Sequence, residues 1–189
     1  MKKKPAFTTY QIVFIPVMAA IIYVVTNFRF PLLGSKVHFA NSMCLLSGLL
    51  FGPVCGGLAA GIGSALYDAG PGGYSIIECA ITFFSKFLMA AICALIAGRA
   101  KEEGGAVEKF RMTAACVIGA LSYVALYMLK TFVFQRFVYG FPADAVWATV
   151  LGKLPASLIN AVFAMVVTPV LYSALVTALR GMLGKIRRV

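Results

Sequence analysis

The sequence predicts an all-α integral membrane protein of six transmembrane helices with both termini in the cytoplasm. Composition is the first ground: of 189 residues, 61% are hydrophobic and 12% are charged, whereas an ordinary soluble domain is about 45–50% apolar and about 25% charged. A soluble globule of this size has nowhere to hide so much apolar surface, and disorder requires low hydrophobicity. Length is the second ground: at about 20 residues per spanning helix there is room for about six spans and little else. The chain therefore reads as one membrane domain over residues 1–189. The third ground is where the net charge of +11 sits. On a soluble protein it would suggest nucleic-acid binding; in a membrane protein basic residues set orientation.

The first span is expected over residues 8–26, behind Lys2, Lys3 and Lys4. It is not a signal peptide, because no small-residue cleavage pattern follows and the rest of the chain is equally apolar. A loop with Arg29, Pro31 and Gly34 leads to a second span, 37–51, which stops at Gly52-Pro53, and a third covers 54–67. Fifteen residues reach only about 22 Å, short of a hydrocarbon core of about 30 Å. With almost no loop between them, spans two and three form a tight hairpin. Merging them into one interrupted helix would leave five spans; the Gly-Pro between them favours six. The fourth span is 74–98, the fifth 112–134 and the sixth 147–179. The last is long enough that it must tilt, kink or protrude, and Pro155 and Pro169 are its natural kink points.

Orientation follows from the 17 basic residues. The N-terminus holds three, the loop after span four holds Arg99, Lys101, Lys109 and Arg111, and the C-terminus holds Arg180, Lys185, Arg187 and Arg188. The opposite side has Arg29, Lys36 and Arg136, with Lys153 near an interface. The positive-inside rule puts the first set in the cytoplasm. Loops 27–36, 68–73 and 135–146 then face outward.

Lys86 and Lys130 remain, both inside spans, where charge is expensive and marks function or a buried pair. Lys86 lies in mid-span, with Glu78 two turns earlier and Thr82 between them on roughly one face. Asn41 opens span two beside His38 and Phe39, and Asn160 lies in span six. Turned inward together, Glu78, Lys86, Asn41 and Asn160 make a polar pocket in the outer half. Glu78 and Lys86 are also close enough along the helix for a structural ion pair. Lys130, nearer a span end, is expected to snorkel to the interface. His38 is the only histidine, and no metal site is built on it.

Ten aromatics lie at outward ends or loops, among them Phe39, Tyr74 and Trp147, against five at inward ends. A two-sided interfacial belt explains part of them; the surplus suggests an aromatic-lined cavity for a flat heterocycle. Gly48, Gly52, Gly56, Ala60 and Ser64 recur every four residues, and Gly57, Gly61 and Ala65 form a second row. Such rows let helices approach closely. The five cysteines read as small apolar residues without a disulfide framework. No P-loop, HExxH or GxSxG occurs, so no catalytic residue, metal or cofactor is expected on this chain.

Phe51-Gly52-Pro53-x-x-Gly56, then Gly61-x-Gly63-Ser64-Ala65-x-x-Asp68, Gly73-Tyr74 and Thr82-x-x-x-Lys86 stand in an order that resembles the S components of energy-coupling factor (ECF) vitamin transporters. The likeness covers nearly the whole chain and points to the subgroup with riboflavin-type and hydroxymethylpyrimidine or pyridoxine-type members. It implies a bacterial cytoplasmic-membrane protein that binds a vitamin from outside without catalysing a reaction. The implied pocket lies in the outer halves of spans four to six, under a lid formed by residues 27–36. Its expected ligand contacts are Lys86, Glu78, Asn41, Thr82, Asn160, Tyr74, Tyr127, Phe39, Asp68 and Trp147. The implied partners are a membrane coupling subunit and two ATPase subunits. Docking in such proteins uses an alanine-x-x-x-alanine pattern in span one; this chain has Pro16 at the first position and keeps Ala20. Two other classes stand beside this reading. A gradient-driven carrier or channel would use Glu78 and Lys86 as a coupling pair, and a membrane assembly protein would bind no ligand.

Overall fold

A computed structural model of the chain describes residues 9–32, 35–100 and 105–186. The orientation charges Lys2, Lys3, Lys4, Lys101, Arg187 and Arg188, together with Glu102, Glu103 and Gly34, lie outside these residues. Apolar runs become helices because a bilayer offers backbone N–H and C=O groups no partner except one another. Helix α1 is Thr9–Asn27, α2 is Ala40–Ala69, α3 is Ile76–Ala100, α4 is Gly105–Val133 and α5 is Ala143–Ile186. One π-helical turn, Phe134–Val138, extends α4. Helix α5 runs through both Pro155 and Pro169.

Among the described residues, five helical runs are long and apolar enough to cross a membrane. The expected pair of short spans, 37–51 and 54–67, falls in one of them, α2. Inside α2, Gly52 has φ 82° and ψ −178°, a region that only glycine occupies without strain. Pro53 follows and has no N–H with which to continue the helical ladder. The chain reverses there. Ser47 Oγ donates to the Gly56 carbonyl at 2.9 Å, and Cys44 Sγ lies 3.8 Å from Ser64 Oγ. In a straight helix those pairs would be about 13 Å and about 30 Å apart. The run is therefore two antiparallel arms, α2a (residues 40–51) and α2b (residues 53–69).

The stretch expected as a loop and the opening of span two is instead a β-hairpin. Strands β1 (Arg29–Leu32) and β2 (Ser35–His38) pair antiparallel, with Arg29 opposite His38 and Pro31 opposite Lys36. Their backbone groups satisfy each other, so α2 begins only at Ala40.

Helix α2 is the centre of the bundle: 72% of its apolar window is buried, against 22–44% in the other four helices. Its small residues make this possible. Gly56 backs onto Ser47 and Gly48 across the arms, Gly48 meets the Ala90 backbone of α3, and Gly63 meets the Ala19 backbone of α1. Gly57 and Gly61 leave grooves filled by Phe87 and Phe83 of α3. The small-residue rows are thus intramolecular packing surfaces. The core continues through Ile22, Leu45, Leu49, Met89, Cys93 and Cys116, while Ile12, Phe84, Leu95, Leu129 and Val166 remain outside as a lipid-facing surface.

Among the described residues beyond its own stretch of chain, nothing lies within 4 Å of where a Gly52 Cβ would stand, so Gly52→Ala tests backbone conformation alone. It is expected to destabilise the protein by about 1–3 kcal/mol. Gly98 is helical and equally open, and Gly98→Ala is expected to be neutral or slightly stabilising. Thermal unfolding in detergent compares the two.

Candidate functional site

Three loops expected to share one side of the membrane meet around a single cavity of about 360 Å³. The hairpin contributes Arg29, Lys36 and His38, the α2–α3 turn contributes Tyr74, and the α4–α5 connection contributes Gln135 and Tyr139. The turn is held tightly: the Gly72 N–H donates to the Tyr67 carbonyl at 2.8 Å and the Tyr74 N–H to the Asp68 carbonyl at 3.0 Å. The helices beneath supply polar stripes at helical spacing. Helix α3 gives Glu78, Thr82 and Lys86; α4 gives Tyr123, Tyr127, Lys130 and Thr131; α5 gives Lys153, Ser157 and Asn160. Both arms of α2 take part, through Asn41 at one end and Ser64, Tyr67 and Asp68 at the other. The lining therefore reaches well beyond the last three helices.

Lys86 is buried, with 3% of its surface exposed. Its ammonium donates to Asn41 Oδ1 and stands 3.6 Å from the centre of the Tyr123 ring. One cation thus joins α2a, α3 and α4. Tyr123 stacks in turn near Tyr127, with centroids 6.2 Å apart and planes at 21°, and Lys153 lies 6.0 Å from the Tyr127 ring.

Glu78 does not pair with Lys86. It lies 3.5 Å from Lys130 Nζ and accepts from the Ser75 N–H and hydroxyl at 3.3 and 3.2 Å, while its own N–H donates to Ser75 Oγ. Ser75-x-x-Glu78 is a capping box that satisfies the free N–H groups opening α3. Lys130, expected to snorkel, turns inward instead, 5.4 Å from the Tyr74 ring and 5.7 Å from Phe134. A carboxylate across the helix interface is a better partner than the headgroup region, and Glu78 supplies it.

Asn160 reaches the cavity wall but is held by the hairpin backbone. Its Oδ1 accepts from the His38 N–H at 2.8 Å and its Nδ2 donates to the Lys36 carbonyl at 2.8 Å. It works as a tether between α5 and β2. Thr82 and Asp68 line the same part of the cavity wall. The hairpin cations rest on aromatic faces: Arg29 lies 5.1 Å from Tyr67 and Lys36 lies 5.8 Å from Tyr74.

Of the expected contacts, Lys86, Glu78, Asn41, Thr82, Asn160, Tyr74, Tyr127 and Asp68 line the cavity. Phe39 and Trp147 do not. Phe39 packs edge-on against Phe163 and Trp147 against Phe132, and both present much of their surface outward, as interfacial aromatics do. Tyr123 was not singled out from the sequence, although Tyr123, Tyr127 and Lys130 at helical spacing in an apolar run would have pointed to it. Pro16 and Ala20 lie on an outward face of α1 with Ile12, Val13 and Val17. No group of three or more potential metal ligands occurs among the described residues.

His38 is partly buried, and its Nδ1 is enclosed without a hydrogen-bond partner among the described residues. Burial, followed by the charges of Lys86, Arg29 and Lys36, pushes it down from 6.5 to about 3. The folded protein therefore keeps His38 neutral where the unfolded chain already binds a proton. Stability contributed this way is complete above about pH 6.5 and declines as the pH falls toward 3. His38→Gln is expected to flatten part of the loss in melting temperature between pH 7.5 and 4.5; an unchanged slope would refute this account.

A family model described as "ECF-type riboflavin transporter, S component" matches residues 6–177. A solved structure titled "Structure and mechanism of the S component of a bacterial ECF transporter" superposes with a TM-score of 0.64, covering 90% of this chain and 97% of that one. At 21% identity that likeness speaks for the fold. No curated protein matches the sequence significantly. The family match extends over nearly the entire chain, and on that ground the chain belongs to the ECF-type riboflavin transporter S component family.

Proposed function

We propose that this chain captures a small vitamin or vitamin precursor at the outer face of a bacterial cytoplasmic membrane. It then delivers the ligand for ATP-driven uptake by docking on a membrane coupling subunit that carries two ATPases. The observation that carries the reading is the cavity itself. Its size falls at the lower end of the usual range for small-molecule sites, about 300–1,000 Å³. It is lined by tyrosines and by hydrogen-bonding groups that converge from every helix. Family membership supports capture for ECF transport in general.

In this reading the two arms of α2 cross the membrane separately, six helices span it, and both termini are cytoplasmic. The ligand ring stacks on the Tyr123–Tyr127 face while Lys86, Asn41, Thr82 and Asp68 supply polar contacts. The β-hairpin, tethered by Asn160, covers the ligand. The loaded protein docks through the α1 face that carries Pro16 and Ala20, reorients, and releases its ligand inward when the partners hydrolyse ATP. Catalysis and cofactor chemistry are assigned to the partners. Lys86 engages Asn41 and Tyr123 while Glu78 engages Lys130, which favours capture over a carrier that couples through a Glu78–Lys86 pair.

Mass spectrometry of co-purifying molecules identifies the ligand. With that ligand, Lys86→Ala is expected to reduce affinity by about tenfold to a hundredfold, the worth of a charge-assisted hydrogen bond, while the protein still inserts and stays monodisperse. Unchanged affinity by calorimetry sinks the assignment of Lys86. Ala20→Trp is expected to leave ligand binding intact and abolish uptake in cells that hold the ATPase partners. Full uptake by that variant moves docking to another face.

A further inference from the structure

Among the described residues the cavity lining carries Arg29, Lys36, Lys86, Lys130 and Lys153 against two carboxylates, Asp68 and Glu78. Glu78 pairs with Lys130 and its field also reaches Lys153, while Asp68 is the carboxylate whose field reaches Lys86 and Lys36. Lys86 is the deepest of the cations. Among the described residues its one hydrogen-bond acceptor is the neutral Asn41 amide, and its second contact is the π face of Tyr123. Both partners hold an ammonium in place, yet neither neutralises it. Arg29, Lys36 and Lys153 likewise rest on tyrosine rings.

These charges converge. Lys86, Arg29 and Lys36 line the same cavity as His38 and their fields all reach its ring, whose Nδ1 has no hydrogen-bond partner among the described residues. Around Asp68 stand Lys86 and Lys130, with Lys36 also within its field. A low-dielectric cleft lined by one sign of charge focuses its potential on the ligand, and a buried cation without a counter-ion is expensive. A neutral ligand would leave that surplus uncompensated; an acidic one would complete it.

Building on the capture reading above, we propose that the cavity is selective for an anionic heterocycle, one bearing a phosphate or carboxylate. Its acid group lies among Lys86, Arg29 and Lys36 beside His38, and its ring lies against Tyr127. The hairpin contributes two of the three cations, so closing the lid and neutralising the ligand are one event. A cationic heterocycle is excluded by the same field.

The test uses neutral and anionic partners of equal ring structure: riboflavin with flavin mononucleotide, pyridoxine with pyridoxine 5′-phosphate, and nicotinamide with nicotinate. Each is titrated into the full-length protein in neutral detergent, at low ionic strength and without phosphate buffer. In whichever pair binds, the anionic member is expected to bind about tenfold more tightly or better. Lys86→Gln and, at the exposed rim, Lys36→Gln are each expected to shrink that ratio. Lys36→Gln keeps the test open if the Lys86 variant fails to insert. Equal or tighter binding by the neutral member overturns the proposal and leaves the capture reading standing. Absence of saturable binding by every compound removes the capture reading and the proposal together. A phospholipid phosphate has the same chemistry, so the titration is repeated with phosphatidylglycerol or phosphatidylcholine added. Displacement of the anionic probe by phosphatidylglycerol alone would assign the charges to a lipid headgroup and overturn the proposal.

Discussion

The reversal at Gly52 is the constraint on which the rest of this molecule depends. Because residues 40–51 run one way and residues 53–69 return, Asn41 and Asp68 finish at the same end of the bundle. A straight helix of that length would hold them about 40 Å apart. The fold-back also makes α2 the buried centre against which α1, α3 and α5 pack. Only a backbone with small residues can serve there, since Gly48, Gly56 and Gly63 each meet another segment's backbone where a side chain would stand. Without a hydrophobic force to drive helices together inside lipid, close van der Waals contact of this kind is what holds a bundle.

On that frame the cavity is assembled from polar groups that an apolar bundle would otherwise exclude. Lys86 is tolerated because Asn41 and Tyr123 approach it from two different helices. Glu78 and Lys130 tolerate each other across the α3–α4 interface, and the Glu78 carboxylate also closes the N-terminus of α3. Asn160 spends both ends of its amide on the hairpin backbone. Each group thus has a structural task as well as a place in the lining. The side chains that hold the hairpin and the helix ends in place are therefore the same ones that line the cavity.

Much of this was legible in the chain itself. Apolar runs marked the helices, Gly52-Pro53 marked the reversal, and the unbalanced charge at Lys86 marked the cavity floor. Lys86 is informative because a mid-span ammonium cannot reach the interface and must find partners inside. The partners were less legible. Glu78 and Lys86 share a helix face, which suggested a pair, yet Lys130 on the neighbouring helix lies nearer to Glu78 and carries the complementary charge. Phe39 and Trp147 looked like cavity aromatics because they are outward-end residues, but belt and cavity aromatics differ only in the direction they face. The β-hairpin was read as loop because four-residue strands with a proline and two charges carry almost no periodic signal.

What the sequence determined by itself is the medium and the local backbone. Composition requires a bilayer, run length requires helices, and a glycine before a proline permits the turn. These follow from transfer free energy and backbone sterics, which act within a few residues and need no knowledge of neighbours. Only the tertiary structure decided which polar groups meet: Lys86 with Asn41 and Tyr123, Glu78 with Lys130, Asn160 with the hairpin. Those pairings depend on the rotation and height of each helix against the next. Packing of small residues across many positions sets that geometry, and no single stretch of sequence contains it.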